Sequence, residues 1–301
     1  MLDVRRMSLL RELSLRGTLA AVAEALHQSP SSVSQQLSQL EREAGAALLH
    51  RVGRGVQLTP AGEVLAEHAA AILDLLEQAE AEVGLLGGEA AGTVRVAAFQ
   101  SAALAFMPQL LAHLAEQHPR VRVTMSQRLP EDALADLHHR QLDLVIAVEY
   151  PGHISPRSDE LDRAPLTSDA VRLALPARGR WSKLDGVAGA AEAPWVMEPR
   201  PAPSRAFAEQ TCRAAGFEPE VRYESDDLET HLALVESGNA VAIVPELMMS
   251  RRRHAVRTVE LPGTPLRTVS TVTRRAIADA PAIQAVRRGL DVVVPGVLPG
   301  R

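Results

Sequence analysis

Residues 28–38 are crowded with hydroxyls and amides: Ser29, Ser31, Ser32, Ser34, Gln35, Gln36 and Ser38, with Thr18 a short way ahead. Such groups donate and accept hydrogen bonds without carrying charge, which suits the edges of bases and the oxygens of phosphates. Glu and Lys would solvate an ordinary helix face at least as well, so Ser and Gln point to hydrogen-bond reading. The plain alternative is a capped surface helix of any globular protein. Arg51 and Arg54 follow in a Gly-broken basic stretch, HRVGRGVQLTPAG, where they can offer charge to phosphates.

Two short helices position these groups. Thr18, after Gly17, caps a helix that runs to about His27 and buries Leu19, Val22, Ala23 and Leu26. Ser29 caps the next, and Pro30 stands at its first helical position, where a missing N–H is harmless. Val33, Leu37 and Leu40 then recur at helical spacing and pack inward, which turns Ser31, Ser34, Gln35, Ser38 and Arg42 outward. An earlier helix over residues 3–16, with Val4, Met7, Leu10 and Leu13 on one side, closes a three-helix core. Arg5, Arg6 and Arg11 read as solvated surface.

The continuous stretch VAEALHQSPSSVSQQLSQLEREAGAALLHRVGRGVQLTPAG resembles the N-terminal DNA-binding domain of LysR-type transcriptional regulators. The likeness is dense over residues 1–60 and looser beyond. It implies a winged helix-turn-helix with double-stranded DNA, a second copy of the chain, a small-molecule effector and RNA polymerase as partners. Gln35 stands where the family often has Arg, and Pro30 lies one residue earlier than the common Gln-Pro pair. The family's base preferences therefore do not carry over.

Composition sets the outer bounds. At 301 residues and 46% hydrophobic, with no apolar run of membrane length, the chain reads as a cytoplasmic protein of two or three domains. Its N-terminus carries charges through its apolar stretch and is no signal peptide. Cys212 is the lone cysteine, which excludes an intrachain disulfide and argues against the paired-thiol switch some relatives use. The net charge of −5 is unevenly spread. Residues 1–60 hold seven Arg against five acids, residues 61–90 hold seven acids and no Lys or Arg, and the remainder cancels. Phosphate attraction must come from a few local Arg and from helix N-termini.

Residues 59–86 read as one long helix. Leu65, Ala69, Ile72, Leu76, Ala79, Val83 and Leu86 alternate in steps of four and three, the spacing of a coiled-coil seam that would pair two copies. An amphipathic helix packed on its own domain is the alternative. The Gly-rich run at residues 87–92 reads as a hinge.

Beyond it, short apolar strands alternate with helices, which implies a mostly parallel sheet. Two such sets suggest lobe I over residues 92–164 plus 264–301 and lobe II over 165–263, joined by crossovers near 164–167 and 262–265. The domains are then 1–58, the linker 59–91, and 92–301. The last is similar to the effector domain of LysR-type regulators and to type 2 periplasmic binding proteins, on LVESGNAVAIVPELM and RAAGFEP.

Ligands of open α/β sheets sit beyond the carboxyl ends of strands. Gln100, Ser101, Gln127 and Glu149 follow or end strands, and Arg200 and Ser204 open the helix across from them. These are the candidate effector-binding residues; as plain alternatives, Ser101 and Ser204 are N-caps, Gln127 a turn residue, and Arg200 a partner of Glu198. His113 and His118 are wrongly spaced for a metal, Asp226, Asp227 and Glu229 read as a solvated edge, and no catalytic motif is present. No metal, cofactor or enzymatic activity is expected. The reading from another class is a solute-binding or enzymatic two-lobed domain with an N-terminal docking module.

Overall fold

A computed structural model of the chain describes residues 1–53, 55–86, 90–153, 157–250 and 254–297. It forms two compact units, Met1–Gly88 and Glu89–Arg301.

In the first unit, α1 (Val4–Arg16) starts where the Asp3 carboxylate accepts from the Arg6 amide at 3.1 Å. α2 (Leu19–Ala25) is capped by Thr18, whose hydroxyl oxygen accepts from the Ala21 amide at 3.1 Å. It stops short of the expected His27, because His27 itself turns into the left-handed region at φ 52°. α3 (Pro30–Ala44) is capped by Ser29, which accepts from the Ser32 amide at 3.1 Å. A two-stranded antiparallel wing follows, β1 (Leu49–Val52) and β2 (Gly55–Leu58), then α4 (Pro60–Leu86). Met7, Leu10, Leu13, Val22, Val33, Leu37, Leu40, Leu48 and Ala69 share one core.

Two Arg expected on solvated surface are committed elsewhere. Arg6 bonds Glu43 at 2.6 Å, and Arg11 is buried. The stripe expected along α4 as a pairing seam is not free over its whole length. Ala69 is fully buried in the unit's own core and Leu65 packs against it, so α1 uses the first half of that stripe. From Ile72 onward the stripe is exposed, through Leu76, Ala79, Val83 and Leu86, with Leu75 beside it.

The second unit runs β3 (Gly92–Ala98), α5 (Gln100–Ala105), α6 (Met107–Gln117), β4 (Val121–Gln127), α7 (Pro130–His138) and β5 (Leu144–Glu149). It continues with β6 (Leu161–Pro176), β7 (Pro194–Met197), α8 (Pro203–Ala214), β8 (Glu220–Glu224), α9 (Leu228–Glu236) and β9 (Ala242–Pro245). β10 (Val256–Glu260), β11 (Leu266–Arg274) and α10 (Pro281–Val293) complete it.

The main sheet is ordered β10-β6-β11-β5-β3-β4, with β9 also on β6. It is mixed, not mostly parallel. β3 runs parallel to β4 and β5, but β6 pairs antiparallel with β9, β10 and β11, and β11 with β5. Of the expected crossovers between lobes, 164–167 is strand as well, while 262–265 is the turn that leads into β11. β6 runs unbroken past residue 164, and β11 pairs with it from Leu161 to Ala170. Pro165, with no N–H to give, sits at the register shift opposite Val269 and Ser270, where a bulge spares the lost bond.

β6 and β11 thus carry both lobes. One buries Val96, Phe106, Leu110, Leu144 and Val286, and the other Leu173, Trp195, Phe207, Cys212 and Val241.

Candidate functional site

The polar face of α3 is built by its caps and its buried stripe. Val33, Leu37 and Leu40 are fully buried, while Ser31, Gln35 and Ser38 are exposed on the opposite side, with Ser34 half-buried beside them. The other expected readers have partners in the chain. Thr18 and Ser29 spend their oxygens as caps, and the Ser29 and Ser31 hydroxyls lie 2.9 Å apart. The Gln36 amide donates to Gln28 at 3.0 Å and to Ser32 at 3.3 Å, so Gln36 and Ser32 brace the turn between the helices from its surface. Arg42 bonds Gln39.

In the wing, Arg51 is exposed and has no ion partner among the described residues. Arg54 lies outside the described residues, as does much of the expected hinge. One anchor was not anticipated: Glu41 on α3 accepts from the Leu48 and Leu49 amides at 2.9 and 3.1 Å, tying the wing's root to the recognition helix. A Glu opening the charged last turn of a helix whose first eleven residues are uncharged was the available signal.

In the second unit a cleft of about 410 Å³ opens where the two lobes meet. Gln100, Ser101, Gln127 and Ser204 line it, as expected of strand and helix ends; Glu149 and Arg200 do not. Glu149 is the last residue of β5 and faces Arg157 and Arg163 at 3.6 and 3.5 Å. Arg200 turns to Glu209, not Glu198, at 2.6 Å.

The floor is Arg267, 1% exposed, which spans the sheet to its neighbour strand. Its Nε and Nη2 reach Asp169 at 2.8 and 2.6 Å, Nη2 also donates to Ser101 Oγ at 2.6 Å, and Nη1 to Tyr150 Oη at 3.4 Å. Phe99 and Tyr150 present ring faces to the same guanidinium, 5.1 and 5.9 Å from its centre. Asp169 in turn accepts from the Leu247 amide at 3.0 Å. The pair was legible in principle. At strand period two, Arg267 shares the face of Val269, and Asp169 that of Val171 and Leu173, so opposite charges occupy opposed buried positions.

One residue joins the lobes directly. Gln100 donates to Asp227 Oδ1 at 2.5 Å and accepts from the Leu228 amide at 2.8 Å. Asp227 caps α9, accepting also from Glu229 N and Thr230 Oγ1. Asp227, expected on a solvated edge, is thus half-buried on the cleft, and Asp226, exposed as expected, stands at its rim. Glu198 does too, with its carboxylate accepting from the Ser204 hydroxyl. Burial pushes the Glu198 carboxyl up; Ser204 and Arg267 counter this, while the charges of Asp226 and Glu131 add to it.

Cys212 lies on α8, fully buried away from the cleft, and burial pushes its thiol up to about 12. That leaves about one thiolate in 10⁵ at neutral pH. Thiol reagents are expected to modify Cys212 only as fast as the unit unfolds, and peroxide to leave DNA affinity unchanged. Rapid labelling of the native protein, followed over a denaturant series, is the result that excludes this. Among the described residues no group of His, Cys, Asp and Glu could hold a metal ion, and no helix is long and apolar enough to cross a membrane.

A capped, polar recognition helix with a basic wing, followed by a two-lobed domain with a lined cleft, is the build of a ligand-responsive DNA-binding regulator. Residues 4–63 match the family described as "Bacterial regulatory helix-turn-helix protein, lysR family", and residues 87–291 the "LysR substrate binding domain". The chain belongs to the LysR family of transcription regulators. It is 32% identical over 128 residues to the HTH-type transcriptional regulator YofA of Bacillus velezensis, covering 42% of this chain and 44% of that one. It is 25% identical over 247 residues to the transcriptional dual regulator GltC of Bacillus subtilis, covering 81% of each. In fold it is similar to a full-length OxyR variant from Pseudomonas aeruginosa, with a TM-score of 0.69 at 20% identity over 97% of this chain and 96% of that one.

Proposed function

We propose that two copies of this chain bind two-fold-related DNA half-sites and that a small organic effector in the cleft alters that binding. The observation that carries the reading is the outward face of α3: Ser31, Gln35 and Ser38 stand exposed on a helix whose other side is wholly buried. Gln35 reads base edges, Ser31, Ser34 and Ser38 contact bases or phosphates, and Arg51 holds the backbone beside the recognition helix. Thr18 keeps its hydroxyl proton for phosphates while its oxygen caps α2, and the hydrogen-bonded Ser29–Ser31 pair has one hydroxyl proton left to give them. Arg54 extends the wing's positive charge.

Pairing occurs through the exposed stretch of α4 from Ile72 to Leu86, the part its own core leaves uncovered. The acidity of residues 61–90 keeps that rod off the phosphates and so assigns it to spacing, not to binding. Release or tightening of the Gln100 clasp between lobes is the step an effector acts on. The cleft binds without catalysing, no resident cofactor is needed, RNA polymerase is the downstream partner, and the cytoplasm is the site of action.

The test is a pair of substitutions with opposite signatures. Arg51→Ala should weaken all sequences alike and lower the steepness of the salt dependence by about one phosphate contact. Gln35→Ala should cost about 1–3 kcal/mol of discrimination at one or two base pairs while leaving the salt slope in place. Equal loss on all sequences from Gln35→Ala would remove it from the reading face.

A further inference from the structure

We propose that the cleft takes a zwitterion of the amino-acid class, its carboxylate on the Arg267–Ser101–Tyr150 floor and its ammonium among Glu198, Asp226 and Glu131. The proposal rests on the cleft being the effector site and names the chemistry that site selects.

The floor offers donors that have no acceptor. The Ser101 hydroxyl and the Tyr150 phenol each accept from Arg267, at 2.6 and 3.4 Å, so each keeps its own proton to give. Among the described residues nothing takes either proton. Ser101 is 1% exposed, and an unspent donor at that depth carries a desolvation cost that an acceptor entering the cleft removes. Tyr150 keeps its proton, since burial raises the phenol above its ordinary value. Asp169 already offsets the Arg267 charge, so the floor selects by hydrogen-bond geometry and not by net charge. A carboxylate, which only accepts and has two oxygens to offer, fits such a floor.

The wall asks for the opposite charge. Glu198 is half-buried, one of its carboxylate oxygens is held by Ser204, and no cation bonds that carboxylate among the described residues, Arg205 reaching only the Glu198 main-chain carbonyl at 3.0 Å. Asp226 on its own lobe and Glu131 at the start of α7 on the other lobe both raise the cost of its charge. Arg128, also on the lining, is 3.4 Å from Asp136. A ligand carrying only carboxylates would enter a mouth of like charge, and one carrying only an amine would leave the floor donors unspent. A ligand with both groups satisfies each end. Its ammonium also removes the repulsion between Glu131 and the Glu198–Asp226 side, which opposes closure of one lobe on the other. A volume of about 410 Å³ is the scale of one amino acid or a small derivative, near the low end of small-molecule pockets.

The test uses the full-length chain and the twenty standard L-amino acids, each beside its decarboxylated amine and its 2-hydroxy acid. Binding is read by titration calorimetry and by the unfolding midpoint of tryptophan fluorescence. At least one amino acid should bind, with its amine and its hydroxy acid weaker by tenfold or more. Glu198→Gln and Ser101→Ala should each weaken that amino acid by tenfold or more, while a cooperative tryptophan unfolding transition in the effector-free variants shows that their second unit folds. Binding of carboxylic acids alone, lost in Ser101→Ala, overturns the zwitterion and leaves the cleft as the effector site. Silence from all twenty amino acids overturns the zwitterion as well. A metabolite that shifts the DNA footprint and is indifferent to both substitutions overturns the cleft reading, and the proposal with it.

Discussion

Gly62→Ala is expected to destabilise the DNA-binding unit by about 2 kcal/mol, within the range for overpacking a tight contact, and to weaken DNA binding on every sequence. Helix propensity alone predicts the reverse, since Ala in a helix is favoured over Gly by about 1 kcal/mol. Sterics decide the sign. A Cβ on Gly62 would lie 2.2 Å from the Leu48 carbonyl oxygen and 3.1 Å from Leu58 Cδ2. Leu58 can turn aside, but the carbonyl cannot. It accepts from the Thr59 amide at 2.9 Å, and the Leu48 amide is held by Glu41. The strain therefore falls on the root of the wing or on the first turn of α4, where Thr59 caps the Gly62 amide at 3.1 Å. Either response moves Arg51 relative to α3. Both tryptophans, Trp181 and Trp195, belong to the second unit, so their fluorescence isolates that unit's transition. The variant should lower the early part of the far-ultraviolet unfolding curve and leave the tryptophan midpoint in place. An unchanged ellipticity curve would show that the contact relaxes at no cost.

Much of the first unit was legible because its signals are local. Thr18, Ser29 and Pro30 mark helix starts by their own chemistry, and Val33, Leu37 and Leu40 mark a buried stripe by spacing. The same periodicity misled along α4. A repeat tells which residues share a face, but not whether that face meets the chain's own core or another copy. Ala69 meets α1, and Ile72 onward does not. Gln36 illustrates a similar limit: its position borders the outward face, and spacing does not tell that its amide finds Gln28 eight residues back.

In the second unit the helices and most strands were legible, and the sheet's direction was not. Parallel order was inferred from alternation, while β6 and β11 are long antiparallel strands, and the polar, proline-bearing first half of β6 resembles a linker. The cleft was half legible. Gln100, Ser101, Gln127 and Ser204 come from element ends that a general rule locates. Strand spacing puts Arg267 on a buried face, but its partner stands 98 residues away, and the burial of Glu198 is likewise set by tertiary contacts, so neither was read as part of the cleft. Asp227 was misjudged because an acidic run looks the same whether it faces solvent or a cleft; its neighbour Asp226 is exposed as expected, at the rim of that cleft.

Arg267→Ala is expected to cost about 3–5 kcal/mol, because it strands a buried charge. Asp169 is 3% exposed, and after the substitution its only remaining hydrogen-bond donor among the described residues is the Leu247 amide. The damage spreads along the fold's shared strands, since Arg267 and Asp169 are direct partners across β11 and β6. The pair need not be a net stabiliser, however. Removing both charges together, as Arg267→Met with Asp169→Leu, should recover most of the loss, since apolar residues of similar volume often replace a buried ion pair without penalty. Denaturant midpoints of the two single variants and the double variant give the coupling directly. Recovery in the double variant would show that the arginine is not required for folding. The double variant should nevertheless fail to respond to any effector, because Ser101 and Tyr150 lose the donor that orients their hydroxyls toward the cleft. A double variant that folds and still shifts its footprint on DNA with ligand would mean that the floor of the cleft plays no part in recognition.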